Sequence, residues 1–123
     1  MGPERIKHAY PFRSILDAGI ILAGASDAPI ESASVLEGFH ACVTRKGLVP
    51  EQIITIAEAL RMFTYNAAYA LGQEDIKGSL ETGKLADFVI LDQNIQTVPA
   101  NKITDIKIVA TYHRGKQIYP IKT

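Results

Sequence analysis

The chain has 123 residues, of which 47% are hydrophobic and 21% are charged, a composition ordinary for one small globular core. Thirteen basic side chains balance thirteen acidic ones, so charge gives no reason to expect nucleic acid or an anionic membrane as a partner. The longest apolar run, residues 20–23, is far too short to cross a bilayer. Residues 1–5 carry no signal-peptide pattern, and we expect a cytoplasmic protein. The single cysteine, Cys42, excludes an internal disulfide and a CxxC metal site.

The first elements predicted along the chain are a short helix and a buried strand. Pro11 before an apolar stretch and Gly19 after it are typical of the two ends of a helix. Residues 20–23 are apolar at successive positions, which is typical of a parallel strand covered on both faces. Helix, glycine and strand in this order favour an α/β fold. Since only one such strand is visible, either it pairs unusually or its parallel neighbours lie outside this sequence.

Two capping motifs predict the next helices. The motif SVLE at residues 34–37 predicts a helix from there to about Arg45. The motif TIAE at residues 55–58 predicts a second helical stretch that continues to Leu71 and ends at Gly72. The first half of the chain is therefore predicted to be rich in helix.

The remainder of the chain has the pattern of strands and turns. Residues 88–91 and 106–112 are rich in β-branched side chains. Residues 117–119 follow a tight turn at residues 113–116, so the last two segments are predicted to form a hairpin.

Asp27 is the strongest candidate for chemistry. It follows the predicted strand in the sequence GASDAP, and in α/β folds the side chains that act on ligands gather at the carboxyl ends of strands. A carboxylate there can bind a divalent metal and accept a proton from water. The alternative is that Asp27 caps a turn, because Ser-Asp-Ala-Pro is favourable turn chemistry.

The three histidines do not form a recognisable metal motif. His8, His40 and His113 are not spaced as HxH, HxxxH or HExxH. We expect each to be exposed or structural, and Cys42, inside a predicted helix, to be a buried structural thiol. A zinc site needs several protein ligands, and this sequence does not visibly supply them.

Three segments in order resemble the C-terminal portion of the amidohydrolase superfamily, in the branch called amidohydrolase family 3, which includes N-substituted formamide deformylase-like enzymes. Residues 10–29 are similar to the last barrel helix and strand, residues 58–71 to the helix pair after them, and residues 78–92 to the entry into a second, β-sandwich domain. The resemblance implies an α/β fold: the C-terminal part of a (β/α)8 TIM-barrel hydrolase over residues 1–76, and strands of the composite β-sandwich domain over residues 77–123.

The resemblance also implies a site. It places Asp27 after the last barrel strand, where the family's aspartate contacts the metal and accepts a proton from the attacking water. Ser26 and Pro29 would shape this loop, and residues 30–45 would line one side of the substrate pocket, with Arg45 contributing to it. The implied cofactor is a divalent metal, with zinc as the expected ion. The implied substrate is a small molecule whose amide-like C–N bond is hydrolysed.

The sequence departs from the family pattern, because the family's HxH motif and its further metal ligands have no counterpart here. We therefore expect part of a larger enzyme, whether a truncated chain, a proteolytic fragment or a short gene, that alone binds no metal and is inactive. The alternative is a non-catalytic α+β module that self-associates or completes a partner chain. An apolar strand without neighbours predicts a homo-oligomer or a missing N-terminal barrel portion.

Overall fold

The computed structural model describes residues 2–120, in which helices come first and strands last. The helices are α1 (Pro3–Ile6), α2 (Phe12–Asp17), α3 (Val35–Thr44), α4 (Ile56–Phe63) and α5 (Tyr65–Ala70). Short 3₁₀ helices span Arg45–Gly47, Pro50–Gln52 and Ala100–Asp105. The strands are β1 (Phe88–Leu91), β2 (Ile108–His113) and β3 (Lys116–Tyr119).

Both helix starts predicted from capping motifs are confirmed. In α4 the Oγ1 of Thr55 accepts from the backbone N–H of Glu58 at 3.2 Å, and a carboxylate oxygen of Glu58 accepts from the N–H of Thr55 at 2.8 Å. In α3 the Oγ of Ser34 accepts from the N–H of Glu37 at 3.3 Å. These bonds satisfy N–H groups that have no partner inside the helix.

The helical stretch predicted through Leu71 is divided into α4 and α5, which form the helix pair that the family resemblance implies for residues 58–71. Thr64, at the junction, has φ −125° and ψ −92°, which lies outside the helical region. Its hydroxyl donates to the carbonyl of Leu60 at 2.7 Å. Threonine hydroxyls commonly make such bonds and bend helices. The break at Thr64 separates α4 from α5, and α5 carries Asn66, which bonds to the segment that precedes Asp27.

The sheet is antiparallel, with β2 between β1 and β3. The turn from β2 to β3 passes through Arg114 and Gly115, whose φ angles are 50° and 75°. Positive φ at both central residues is what a two-residue hairpin turn of type I′ requires. The carboxylate of Asp87, just before β1, accepts from the N–H of Arg114 at 2.6 Å. The predicted hairpin is confirmed.

The strand predicted at residues 20–23 is not formed, and that prediction was wrong for this chain. The segment is irregular, and the strands of residues 2–120 all belong to the antiparallel sheet. Ile20 and Ile21 are 56% and 52% exposed, so the expected cover on both faces is also absent there. A parallel strand exists only when neighbouring strands share its backbone hydrogen bonds, and the described residues supply none.

The core joins helices to a turn of the β-rich part. Ile103, in the 3₁₀ helix Ala100–Asp105, is 0% exposed and belongs to the main apolar cluster. Its partners in this cluster are the buried side chains Phe39, Cys42, Val43, Ile54, Ala59 and Met62. The thiol of Cys42 is buried, as expected, and burial raises its pKa. The domain boundary between residues 76 and 77 stays a prediction.

Within residues 2–120, no helix combines the length and the apolar character that crossing a membrane requires. The predicted cytoplasmic location stays a prediction.

Candidate functional site

Asp27 sits in a tight turn that does not use its carboxylate. Its φ is 58°, and its carbonyl accepts from the N–H groups of Ile30 at 2.9 Å and Glu31 at 3.3 Å. The side chain that bonds within this turn is Ser26, whose Oγ accepts from the N–H of Ala28 at 3.4 Å. Asp27 is exposed, and within residues 2–120 no described hydrogen bond involves its carboxylate. The turn therefore leaves this carboxylate available to a ligand.

Ser26 and Pro29 flank Asp27, as the sequence predicts for the loop. Ser26 is half-buried and Pro29 is exposed, and the Ala28–Pro29 peptide bond is cis. Their contribution to a substrate pocket stays a prediction.

The segment before Asp27 is held by the junction of α4 and α5. The N–H of Gly24 donates to the carbonyl of Met62, the residue before the end of α4, at 3.0 Å. The side-chain amide of Asn66, on α5, donates to the carbonyl of Leu22 at 2.8 Å. These two bonds fix the direction in which the chain enters the Asp27 turn.

Polar contacts tie α2 to the start of α4 and to the 3₁₀ helix Pro50–Gln52. The guanidinium of Arg13 lies 2.7 Å from a carboxylate oxygen of Glu58. Gln52 donates to the hydroxyl of Ser14 at 2.8 Å and accepts from its N–H at 3.1 Å. Helix α2, which precedes residues 20–27, is thus bonded to α4. The same helix α4 accepts the hydrogen bond from the N–H of Gly24.

Arg45 lies at the end of α3, where it packs on the N-terminal segment. Its guanidinium donates to the carbonyl of Ala9 at 2.8 Å and lies 5.7 and 5.3 Å from the ring centroids of Tyr10 and Phe12. It lines an apolar cavity of about 260 Å³ with residues of that segment. No described contact joins Arg45 to Asp27 within residues 2–120, and its role in a substrate pocket stays a prediction.

The histidines are dispersed over the fold. His8 and His113 are exposed and His40 is half-buried in α3. The Nδ1 of His113 lies 3.2 Å from a carboxylate oxygen of Asp87, at the hairpin. In the part of the chain that the structure describes, no three His, Cys, Asp or Glu side chains are grouped to hold a metal. A metal centre with several protein ligands does not fit these residues, because Asp27 offers a single carboxylate.

Asn66 was not predicted from the sequence to be functional. Among residues 2–120 it is the one polar residue classed as buried, with 6% of its surface exposed. A signal was available in the sequence: Asn66 stands between apolar residues of a predicted helix, although asparagine is a weak helix former. Such a residue generally has a specific hydrogen-bond partner. Its partner, Leu22, is 44 positions away and could not be read from local spacing.

The arrangement of helices and sheet matches that of solved hydrolase structures. An uncharacterized metal-dependent hydrolase from Pyrococcus horikoshii superposes with a TM-score of 0.71 at 32% sequence identity. The match covers 82% of this chain and 22% of that one. The chain therefore has a mixed helix and strand fold of the type found in such hydrolases.

Sequence relatives identify the family. The model of the amidohydrolase family matches residues 1–119, and the chain belongs to this family. It is 34% identical to N-substituted formamide deformylase of Arthrobacter pascens, over 86% of this chain and 20% of the relative. It is 36% identical to the protein LONG AFTER FAR-RED 3 of Arabidopsis thaliana, over 98% of this chain and 22% of the relative. The family predicted from the sequence is confirmed, and the chain spans about a fifth of the length of these relatives.

Proposed function

We propose that this chain is the C-terminal part of a metal-dependent amidohydrolase that hydrolyses an amide-like C–N bond of a small molecule, and that Asp27 is a catalytic carboxylate of that enzyme. The observation that carries the proposal is the exposed carboxylate of Asp27, which makes no described hydrogen bond within residues 2–120 and follows a segment bonded to α4 and α5. Membership of the amidohydrolase family supports the reaction class. The likeness to N-substituted formamide deformylase supports an amide-like substrate.

Asp27 would act as a general base and then as a general acid. Its carboxylate would accept a proton from the attacking water and deliver it to the leaving nitrogen of the substrate. The expected divalent metal, zinc, belongs to the larger enzyme in this proposal, because the described residues do not build a complete centre.

A zinc titration distinguishes a part of a larger enzyme, which lacks a complete metal site, from a chain that builds a metal site by itself. We expect calorimetry on the purified 123-residue chain to show no stoichiometric zinc binding, either in the native sequence or in Asp27→Ala. Tight binding that disappears with Asp27→Ala would mean that the chain builds its own metal site, and the fragment proposal would fail.

The catalytic role of Asp27 is tested in a chimera in which this chain replaces the matching fifth of the deformylase. We expect Asp27→Asn to lower kcat for N-substituted formamide by about 10²- to 10⁴-fold, the usual contribution of general acid–base catalysis. Asp75→Asn, at an exposed position of a surface turn, is the matched control and retains activity. A folded, active chimera in which Asp27→Asn has no effect would contradict the assignment.

A second candidate function, a non-catalytic module that self-associates, is favoured by exposed apolar side chains around Asp27. Ile20, Ile21 and Ile30 are 56%, 52% and 80% exposed, and exposed apolar side chains favour association where they form a patch. Under this alternative, sedimentation shows an oligomer that Ile21→Lys dissociates, whereas Leu80→Lys, at a position 75% exposed in the β-rich part, does not. A stable monomer of the native chain would exclude it.

A further inference from the structure

We propose that Asn66 is a positioning residue for Asp27, acting through the backbone of residues 22–24; the inference rests on the proposed catalytic role of Asp27. Asn66 is 6% exposed, and its amide nitrogen donates to the carbonyl of Leu22 at 2.8 Å. Asp27 follows Leu22 along the same segment. The bond therefore joins α5 to the chain that carries the candidate carboxylate.

Two further contacts from the same junction reach this segment. The N–H of Gly24 donates to the carbonyl of Met62 at 3.0 Å. The ring of Phe63 lies directly against Gly24, at a distance that leaves no room for a β-carbon. The segment is thus held at two residues: Leu22 by the amide of Asn66, and Gly24 by the carbonyl of Met62 and the ring of Phe63. We infer that these contacts set the direction in which the chain leaves Gly24 toward Asp27.

The choice of asparagine at position 66 has a physical reason. Asparagine is a weaker helix former than alanine or leucine, and a buried amide is unfavourable unless it is hydrogen-bonded. Leu22 lies in a segment with no strand neighbour among residues 2–120, so its carbonyl needs a donor from elsewhere. Asn66 supplies that donor from a helix, a rigid support, where an apolar residue would supply only packing.

Loss of the hydrogen bond between Asn66 and Leu22 would slow the reaction by displacing the carboxylate of Asp27. A general base works only within hydrogen-bond reach of the proton that it accepts, and a displacement of about 1 Å costs about 10²-fold in rate. Asn66 is not expected to touch substrate, so its effect is expected in kcat and not in KM.

The hydrogen bond itself is tested first, in the native 123-residue chain. We expect NMR to show a scalar coupling across the bond, between the side-chain nitrogen of Asn66 and the carbonyl carbon of Leu22. A folded chain without this coupling, and with rapidly exchanging Asn66 amide protons, would overturn the proposal. This measurement needs no variant and therefore decides the point even where a substitution prevents folding.

The consequence for the segment is tested with Asn66→Ala, which removes the donor and improves helix propensity. We expect hydrogen exchange at the Gly24 amide to accelerate by at least about 10-fold, relative to the buried Ala110 in β2 as internal reference. Asp92→Ala is the control, because it removes a bond to the N–H of Lys107 at 2.8 Å in the sheet and leaves Gly24 unchanged. If hydrogen exchange accelerated equally at Gly24 and Ala110, the substitution would have destabilised the whole chain, and the proposed local role of Asn66 would be overturned.

The consequence for catalysis is tested in the deformylase chimera. We expect Asn66→Ala to lower kcat by about 10- to 100-fold, with KM changed by less than about 2-fold. Asp92→Ala changes neither. Unchanged kcat in Asn66→Ala, where Asp27→Asn is inactive, would overturn positioning and leave the proposed function intact. Full activity of Asp27→Asn would instead overturn the proposed function, while the coupling between Asn66 and Leu22 would still be observed.

Discussion

Gly24 lies directly against the aromatic ring of Phe63. A β-carbon at position 24 would stand 2.7 Å from two ring carbons of Phe63, well inside van der Waals contact. The ring also packs on Phe39 of the core, with centroids 6.2 Å apart, which limits how far it can move away from Gly24. The glycine that begins the GASDAP sequence is therefore required by close approach to α4.

The first prediction concerns this contact. Gly24→Ala forces the ring or the segment to move, and we expect a loss of about 1–3 kcal/mol in the free energy of unfolding, the usual cost of overpacking. Urea denaturation of the purified chain measures it. Gly2→Ala is the control, since nothing lies within 4 Å of a β-carbon there. Adding Phe63→Leu to Gly24→Ala should restore part of the loss, and a Gly24→Ala chain of native stability would refute the steric explanation.

The second prediction compares two glycines of the segment 78–92. Gly78 and Gly83 have φ angles of +92° and +95°, so alanine is strained at both positions. A β-carbon at Gly78 would also lie 2.7 Å from Ala68, on α5, whereas at Gly83 it would meet nothing within 4 Å. We expect Gly78→Ala to destabilise the chain by about 1–3 kcal/mol more than Gly83→Ala does. Equal midpoints in urea for the two variants would contradict this packing.

The third prediction concerns acid stability through Glu58. The backbone hydrogen bond from Thr55, aided by the nearby guanidinium of Arg13, holds the pKa of the Glu58 carboxyl below its ordinary value of 4.5. The unfolded chain then binds this proton more tightly than the folded chain does, so the stabilisation is present above pH 4.5 and is lost as the pH falls through the lower, folded value. Glu58→Gln should flatten this part of the stability curve.

The measurement is the urea midpoint as a function of pH, from neutral to acidic solution. Glu37→Gln, at an exposed position in the first turn of α3, serves as the control. A Glu58→Gln chain that retains the full native pH dependence below pH 4.5 would show that the carboxylate of Glu58 does not contribute to acid stability.

The fourth prediction concerns Cys42. Its side chain is 4% exposed, so reagents have little access to it. Burial also raises the pKa of its thiol, which lowers the fraction of reactive thiolate. We expect the native chain to react with a disulfide reagent only on the timescale of unfolding, and urea to make the reaction immediate. Rapid labelling of the native chain would show that α3 leaves the core readily.

Local features of this fold could be predicted because they depend on residues close in sequence. The starts of α3 and α4 rest on bonds between residues three positions apart. The turn at Arg114 and Gly115 rests on backbone angles of adjacent residues. A helix pair over residues 58–71 was expected, but the position of its break at Thr64 was not predicted. The cause of the break is also local, but the hydroxyl of a threonine can either face solvent or bond to the preceding turn.

The sequence by itself determined the family, the capped helices, the hairpin and the candidate Asp27, since these reside in motifs and short spacings. The tertiary structure alone decided that residues 20–23 form no strand and that Asn66 and Phe63 hold the segment leading to Asp27. The physical reason is the same for both. A strand needs a neighbour and a buried amide needs a partner, and each is supplied or withheld by residues distant along the chain, as the 44-position separation of Leu22 and Asn66 shows.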